Sequence, residues 1–439
     1  MKRENLIISL SKLTIIAFMV LSIYECFMLF YNPLIEEEYL IKGQVLIAGI
    51  YLALYLLSTG IYEAFDIRLN RISDIVYSQI LSVLIPDTIM YLIMIFVLRG
   101  IPDFLPALAT LAVQICFILI WSFFSKKIYI KNITPLKTIV VFDGETDIEQ
   151  MIIKYNLETR FDVQKKADIN ECFENPGLLD GFDAVFLCDN NSEKRNKILI
   201  HCVENGKNVF VNPNLSDMVM HGAKAKHILY LPIMNAGKYE PDAYYLIAKR
   251  LFDFFMSLIL LIILSPVLAI TAIAVKICDA GPVFYKQTRM TKDGKNFKII
   301  KFRSMRVDAE KNGAQLSSGE NDDRITPVGK FIRKIRLDEL PQLINILKGD
   351  MSFVGPRPER PEIAEKYYED LPEFALRLQV KAGLTGYAQV YGKYNTTAYD
   401  KLKMDLMYIA HPTIANDASI ILATLKILFV PESTEGVEN

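Results

Sequence analysis

Two neighbouring carboxylates, Asp338 and Glu339, stand in the run Leu337-Asp338-Glu339-Leu340-Pro341-Gln342. Arg333, Lys334 and Arg336 precede them, and Arg357 follows in Val354-Gly355-Pro356-Arg357-Pro358. Pro341 suits a first helical turn, which puts both acids at a helix N-terminus. Free amide N–H groups and the helix dipole favour ionised carboxylates there, with phosphate oxygens beside them. The pattern leaves two readings open. Asp338 is a simple N-cap, or the pair serves a Mg²⁺-assisted phosphoryl transfer in which one carboxylate attacks and the other holds the metal.

Upstream, residues 286–303 carry seven basic residues and one acidic residue in eighteen positions. Such density suits phosphate on a lipid headgroup or a nucleotide, and equally a solvated strand pair of alternating charge. The four histidines, His201, His221, His227 and His411, make no zinc spacing. The six cysteines are scattered without a C-x-x-C, as in a reducing compartment. Any metal is therefore expected to be a hard cation held by oxygen.

The chain that must position these residues is 439 long, room for several structural units. Its 49 Lys+Arg nearly balance 50 Asp+Glu, which argues against nucleic acid as a partner. A hydrophobic content of 52% beside 23% charged residues points to a part that lies in a membrane. Four apolar stretches, 13–31, 44–62, 75–98 and 104–125, can each cross a hydrocarbon layer of ~30 Å at ~1.5 Å per residue. Lys2, Arg3 and Lys12 precede the first, Glu36-Glu37-Glu38 follows it, Arg68 and Arg71 follow the second, and Lys126, Lys127 and Lys131 follow the fourth. The positive-inside rule puts both ends of this bundle in the cytoplasm. The first stretch is too long for a removable signal peptide and lacks its cleavage site. Asp87 beside Pro86 reads as an intramembrane functional acid, or as a kink with the acid facing the bundle interior.

From 137 to about 238, short β-rich runs (138–142, 182–188, 208–211, 228–231) alternate with charged helical segments (147–155, 192–204), a βαβ succession of Rossmann-like type. The first run ends in Phe142-Asp143-Gly144-Glu145-Thr146, where a dinucleotide site wants G-x-G-x-x-G. No tight NAD or nucleotide-sugar site is expected here. The expected work of this unit is contact with a second copy, making a homo-oligomer, or with an assembly partner.

A fifth stretch, 254–275, is uncharged for 22 residues, flanked by Lys249-Arg250 and Lys276, and carries Ser265-Pro266 at its middle. Proline there removes a helical hydrogen bond and favours a sharp bend, and two basic flanks give no reason to translocate either end. A helix that enters from the cytoplasm, breaks and returns satisfies both facts; a kinked spanning helix is the alternative.

Taken in order, Lys249-Arg250-x-x-Asp253, Ser265-Pro266, Gly281-Pro282-Val283-Phe284, Gln287-x-Arg289, Lys301-Phe302-Arg303-Ser304-Met305, the Asp338-Glu339 run, Gly349-Asp350-Met351-Ser352, Val354-Gly355-Pro356-Arg357-Pro358 and Ala382-Gly383-Leu384-Thr385-Gly386-Tyr387-Ala388-Gln389-Val390 closely resemble the bacterial sugar transferases. These are polyprenyl-phosphate hexose-1-phosphate transferases. Four preceding spans and a Rossmann-like unit resemble the large, initiating form of that family. Met290-Thr291, where Val-Gly is common, and Ala382, where Pro is common, depart from its pattern.

The resemblance implies a multi-domain membrane protein: a four-helix transmembrane bundle at 1–131, a cytoplasmic α/β Rossmann-like unit at 132–240, and a mainly α catalytic domain at 241–439 with a re-entrant helix near 252–276. It implies that Asp338 is the nucleophile, Glu339 the Mg²⁺ ligand, and Ser265-Pro266 the break in the re-entrant helix. Arg333 and Arg357 become candidates for phosphate contact, with Pro356, Pro358, Lys301, Arg303, Gln287 and Arg289 among the substrate-binding landmarks. The reaction implied is UDP-sugar plus undecaprenyl phosphate giving undecaprenyl-diphosphate-sugar and UMP, the first membrane step of exopolysaccharide, capsule or O-antigen synthesis at the bacterial inner membrane. Partners would be those two substrates and membrane lipids. A membrane-anchored nucleotide-sugar epimerase or dehydratase is the rival enzyme, needing an NAD fingerprint that is absent after Val141; a scaffold of polysaccharide assembly is the non-enzymatic rival.

Overall fold

In the computed structural model the described residues are 2–35, 39–143, 148–154, 157–188, 192–228, 231–239, 241–307, 324–392 and 396–427. They form two compact units, Met1–Pro213 and Asn214–Asn439.

The first unit opens with α1 (Lys2–Cys26), continued by helical turns to Leu34, then α2 (Ile41–Ile61), α3 (Ile72–Val97) and α4 (Leu105–Asn132). Four helices, Leu6–Leu34 and α2 to α4, are long and apolar enough to cross a membrane. Ile15, Met19, Tyr51, Tyr55, Ile75, Val83 and Ile118 fill the bundle core, while Leu13, Leu57, Phe96 and Leu105 face outward. Apolar residues on every face are what a helix surrounded by lipid carries. Hydrogen bonds also join the helices: Gln114 Nε2 donates to Ser22 Oγ (2.9 Å) and Tyr51 Oη (3.2 Å), and the Tyr55 hydroxyl donates to Gln79 Oε1 (2.8 Å). Lys126 Nζ donates to the carbonyls of Ile67 (2.8 Å) and Asn70 (3.0 Å), tying the basic end of α4 to the α2–α3 connection. Helix α3 runs unbroken through Pro86, and both Asp87 oxygens are buried in the bundle. The Glu36-Glu37-Glu38 run lies outside the described residues.

The unit ends in a sheet of parallel strands β1 (Leu136–Phe142), β2 (Phe161–Asp168), β3 (Ala184–Cys188) and β4 (Asn208–Val211), in the order β2-β1-β3-β4. Helices α5 (Ile148–Lys154), α6 (Ile169–Glu174) and α7 (Ser192–Glu204) lie between them in sequence. Ile139, Val140, Val141, Val185 and Leu187 are fully buried, as a parallel sheet covered on both faces requires. Strand β2 escapes the sequence reading because Asp162, Gln164, Lys165 and Lys166 dilute its apolar pattern; it is an edge strand with little to bury. Gly144, Glu145 and Thr146 of the loop after β1 lie outside the described residues.

In the second unit, α8 (Leu215–His221) is followed by an antiparallel hairpin, β5 (Lys224–Ile228) and β6 (Leu231–Asn235). The run expected at 228–231 therefore falls on two strands and their connection, whose residues 229–230 lie outside the described residues. Helices α9 (Ala243–Ile263) and α10 (Ser265–Cys278) meet at Leu264 with a bend of 64°. Pro266 cannot donate to the Ile262 carbonyl four residues back, and Ser265 Oγ donates to that same oxygen at 2.7 Å. One face of the pair, with Asp253, Ser257, Thr271 and Val275, is buried; Phe255, Ile259, Ile263, Ile270, Ile273 and Ile277 are exposed.

Beyond the bend come the antiparallel β7 (Phe284–Met290) and β8 (Asn296–Phe302), then α11 (Pro327–Lys334) and α12 (Gln342–Lys348). Next are β9 (Ser352–Val354), α13 (Pro361–Asp370), β10 (Gly383–Thr385), α14 (Tyr387–Tyr391), α15 (Ala398–Ala410) and α16 (Ile414–Ile427), with β9 and β10 paired in parallel. The core joins Leu343 and Ile346 of α12, Phe353 and Val354 of β9, Leu402 and Leu406 of α15, and Ile420 of α16. Met218 of α8 enters the same core, and α8 packs on α15.

Candidate active site

Thr326 caps α11 by accepting from Gly329 N (3.0 Å), and Pro327 takes its first turn. The helix ends at Lys334, and Arg336 then adopts a left-handed conformation (φ 56°, ψ 23°) that costs a non-glycine residue about 1 kcal/mol. That reversal starts a 3₁₀ turn, Leu337–Glu339, which presents the two acids. Helix α12 begins only at Gln342, with Pro341 as its N-cap and no side chain capping it. Asp338 is therefore not the cap that the sequence pattern allowed: the turn's own carbonyls serve, with Leu340 N donating to Leu337 O (3.2 Å).

Strand β8 brings Lys301 to the same place. Asn345 of α12 holds that strand as a second strand would, accepting from Ile300 N (3.0 Å) and donating to Lys298 O (2.9 Å). Lys301 Nζ then donates to Glu339 Oε1 at 2.7 Å. Arg357 Nη2 donates to the same oxygen at 3.0 Å.

Arg357 is aimed by a tightly held loop. Phe353 N donates to Asp253 Oδ1 (3.1 Å), Gly355 N to Thr385 O (2.9 Å), and Arg377 Nη2 to Arg357 O (3.0 Å). A Cβ at Gly355 would lie 2.2 Å from the Lys381 carbonyl oxygen, so only glycine lets these backbones approach. Behind the loop, Arg289 Nη1 donates to Pro358 O (3.0 Å) and Nη2 to Gln287 Oε1 (2.8 Å). The structure thus brings Asp338, Glu339, Lys301 and Arg357 together, with Pro356 and Pro358 flanking Arg357. Gln287 and Arg289 stand behind the loop. Arg303 is buried and pairs with Asp279, donating from Nη2 to its carbonyl. Ser265 and Pro266 stand at the helix bend.

The two acids differ in charge state. Burial alone would raise the Glu339 carboxyl, but the charges of Lys301 and Arg357 outweigh it and hold Glu339 well below the usual carboxylate range. Burial and then the Glu339 charge push Asp338 up to about 6, against the lowering effect of Lys301, Arg333 and Arg357. No hydrogen bond from a described residue reaches the Asp338 carboxyl. Burial lowers Lys301, whereas Glu339 raises Arg357.

Among the described residues no three His, Cys, Asp or Glu side chains cluster as a metal site. Two adjacent carboxylates still fit Mg²⁺, which characteristically takes one or two carboxylates and completes its shell with substrate phosphates and water. Oε1 of Glu339 accepts from both Lys301 and Arg357.

Sequence pattern assigns no role to Arg250, Asn345, Arg377 or Asp405. Arg250 donates to the carbonyls of Ile346 and Leu347 (both 2.9 Å), closing the C-terminal end of α12, and Arg377 pairs with Asp405 at 2.8 Å. For Asp405 the available signal was an acid amid the apolar residues of α15; Asn345 offered none.

This geometry belongs to a region, residues 244–431, that matches the family model described as "Bacterial sugar transferase". A putative undecaprenyl-phosphate N-acetylgalactosaminyl 1-phosphate transferase of Bacillus subtilis is 49% identical over 139 residues, 32% of this chain and 77% of the relative. The exopolysaccharide production protein PSS of Rhizobium leguminosarum is 40% identical over 199 residues, 44% of this chain and 98% of the relative. A UDP-N-acetylgalactosamine-undecaprenyl-phosphate N-acetylgalactosaminephosphotransferase of Aeromonas hydrophila is 38% identical over 195 residues, 44% of this chain and 46% of the relative. The chain belongs to the bacterial sugar transferase family. It spans about half the length of the Aeromonas relative.

Proposed function

We propose that this chain transfers a sugar 1-phosphate from a UDP-sugar to undecaprenyl phosphate, releasing UMP, in exopolysaccharide, capsule or O-antigen synthesis. The observation that carries the reading is the split within the acid pair: Glu339 held ionised by Lys301 and Arg357, and Asp338 raised to about 6 without a partner. The more basic, unpaired carboxylate is the better nucleophile. Asp338 attacks the phosphorus that carries the sugar, the bond from that phosphorus to the UMP oxygen breaks, and an acyl phosphate forms in which the Asp338 carboxyl carries the sugar phosphate. A phosphate oxygen of undecaprenyl phosphate then attacks the same phosphorus, the Asp338–phosphorus bond breaks, and the carboxylate is restored.

Lys301, Arg333 and Arg357 neutralise the diphosphate in this scheme, and Pro356, Pro358, Arg289 and Gln287 keep Arg357 aimed. Glu339 would hold Mg²⁺, which when bound supplies charge neutralisation of the phosphates. The bent pair α9–α10 is read as a re-entrant hairpin of the cytoplasmic leaflet of the inner membrane. Its 64° bend, the Ser265 hydroxyl on the freed carbonyl and its exposed apolar residues support that reading. The parallel sheet is read as a Rossmann-like unit that contacts a second copy or an assembly partner. UDP-N-acetylgalactosamine, named in the Aeromonas relative, is the first substrate to try, with UDP-glucose beside it. Purified chain given each with undecaprenyl phosphate should release UMP, and EDTA should stop it. Silence across a panel of UDP-sugars, with metal and lipid present, would refute the reading.

A further inference from the structure

Four polar side chains from three helices meet beneath the first turns of α9. Asp417, in the first turn of α16, is 4% exposed. Its Oδ2 accepts from Lys249 Nζ at 2.6 Å and from the Tyr245 hydroxyl at 3.1 Å. Its Oδ1 accepts from the Tyr408 hydroxyl of α15 at 2.8 Å. Lys249 Nζ also lies 3.3 Å from Tyr408 Oη, and that hydroxyl stands 3.3 Å from the carbonyl oxygen of Val354. Val354 is the residue from which the loop carrying Arg357 departs.

Burying such a pair brings no assured gain in stability, because desolvating two charges offsets their attraction. What the arrangement does supply is a fixed geometry. With Asp253 accepting from Phe353 N, it grips the loop from α9 at two adjacent residues, and Arg250 grips the end of α12 from the same helix. Helix α9 thereby contacts both α12, which follows the turn bearing Glu339, and the strand that leads to Arg357.

We infer that Asp417 is a positioning residue: by holding Lys249 and Tyr408 together it locks α9 to the Val354–Arg357 loop and so sets Arg357 against Glu339. The inference rests on the reaction proposed above. It also gives a part-buried lysine and a buried carboxylate, which the proposed reaction does not use, a role.

The test is a double-mutant cycle in the full-length membrane protein, read as initial UMP release with UDP-sugar and lipid varied. Asp417→Asn keeps size and an acceptor oxygen for Tyr408. It should lower kcat about tenfold, a loss within the usual range for coupled neighbours, and leave the apparent KM for UDP-sugar within about twofold. Introduced into Arg357→Lys it should cost less than about twofold more, since a misplaced guanidinium cannot be lost twice. The paired removal Lys249→Met with Asp417→Leu leaves no unpaired buried charge; it should fold with the parent's thermal midpoint and still be slow. Parent-like kcat in Asp417→Asn, an equal fold-loss in both backgrounds, or failure of both Asp417 variants to fold would overturn the inference. Asp338→Asn, run alongside, separates the levels. If it still releases UMP, the proposed reaction has failed; if it is silent while the Asp417 variants run at parent speed, only the positioning role has.

Discussion

Lys301 Nζ lies 2.7 Å from Glu339 Oε1, so a strand residue and a residue of the turn before α12 form one part-buried ion pair. Arg357 closes on the same oxygen from a third segment. The consequence is an asymmetry between two adjacent acids. Glu339 is held ionised by its two cationic partners, while burial and the Glu339 charge push Asp338, without such partners, up to about 6.

Asp338→Asn should therefore abolish UMP release while leaving membrane insertion intact, because the amide keeps the size and loses the nucleophile. Residual activity above about a tenth of the parent, a barrier change of only ~1.4 kcal/mol, would leave Asp338 without a catalytic role.

The pH dependence follows with a definite sign. A carboxyl raised to about 6 is protonated below that pH and nucleophilic above it, so kcat/KM for UDP-sugar should fall as pH drops through about 6 and level off above it. Lys301 lowers the Asp338 value, so Lys301→Met should move this acid limb upward and slow the reaction. An unmoved limb in Lys301→Met would separate Lys301 from the titration of Asp338.

Glu339→Gln removes the hard anionic oxygen and leaves Lys301 and Arg357 facing a neutral amide. The divalent-cation concentration needed for half activity should rise by about tenfold or more, measured by titrating Mg²⁺ into metal-stripped protein. An unchanged requirement would place the metal elsewhere.

How much of this was legible beforehand depends on the range of the signal. The four apolar helices and the proline bend are written in local composition, and the structure has helices at each stretch and a break at Leu264. The acid pair was also visible, since two carboxylates amid arginines stand out in any reading. Its local geometry was not: whether Asp338 caps α12 turns on the left-handed Arg336, and sequence pattern alone favoured no such conformation there. Lys301 reaches Glu339 only because Asn345 stitches β8 to α12, a contact across 45 residues of sequence. Strand β2 was missed because an edge strand need not look apolar.

Topology offers an independent check. Cysteines placed just before Lys249 and just after Lys276 should both resist an impermeant thiol reagent in intact cells if α9–α10 returns to its own side. Labelling of the later position from outside would make the pair a spanning helix.

The boundary between units makes a further prediction. Because α8 packs on α15 and Met218 lies in the second core, a chain beginning at Asn214 should retain more transferase activity than one beginning at Tyr239. Complete inactivity of a folded Asn214 chain would assign the first unit a part in catalysis.

The most direct measurement is to mix the protein with a UDP-sugar labelled in the phosphate that bears the sugar, without undecaprenyl phosphate, and to quench in acid. Mass spectrometry of the digested protein should find one sugar phosphate on the peptide containing Asp338, formed with release of an equal amount of UMP. The adduct should be absent from Asp338→Asn and discharged on addition of undecaprenyl phosphate. UMP release only when the lipid is present, with no label on the protein at any quench time, would mean that the lipid attacks the UDP-sugar directly and that Asp338 is not the nucleophile.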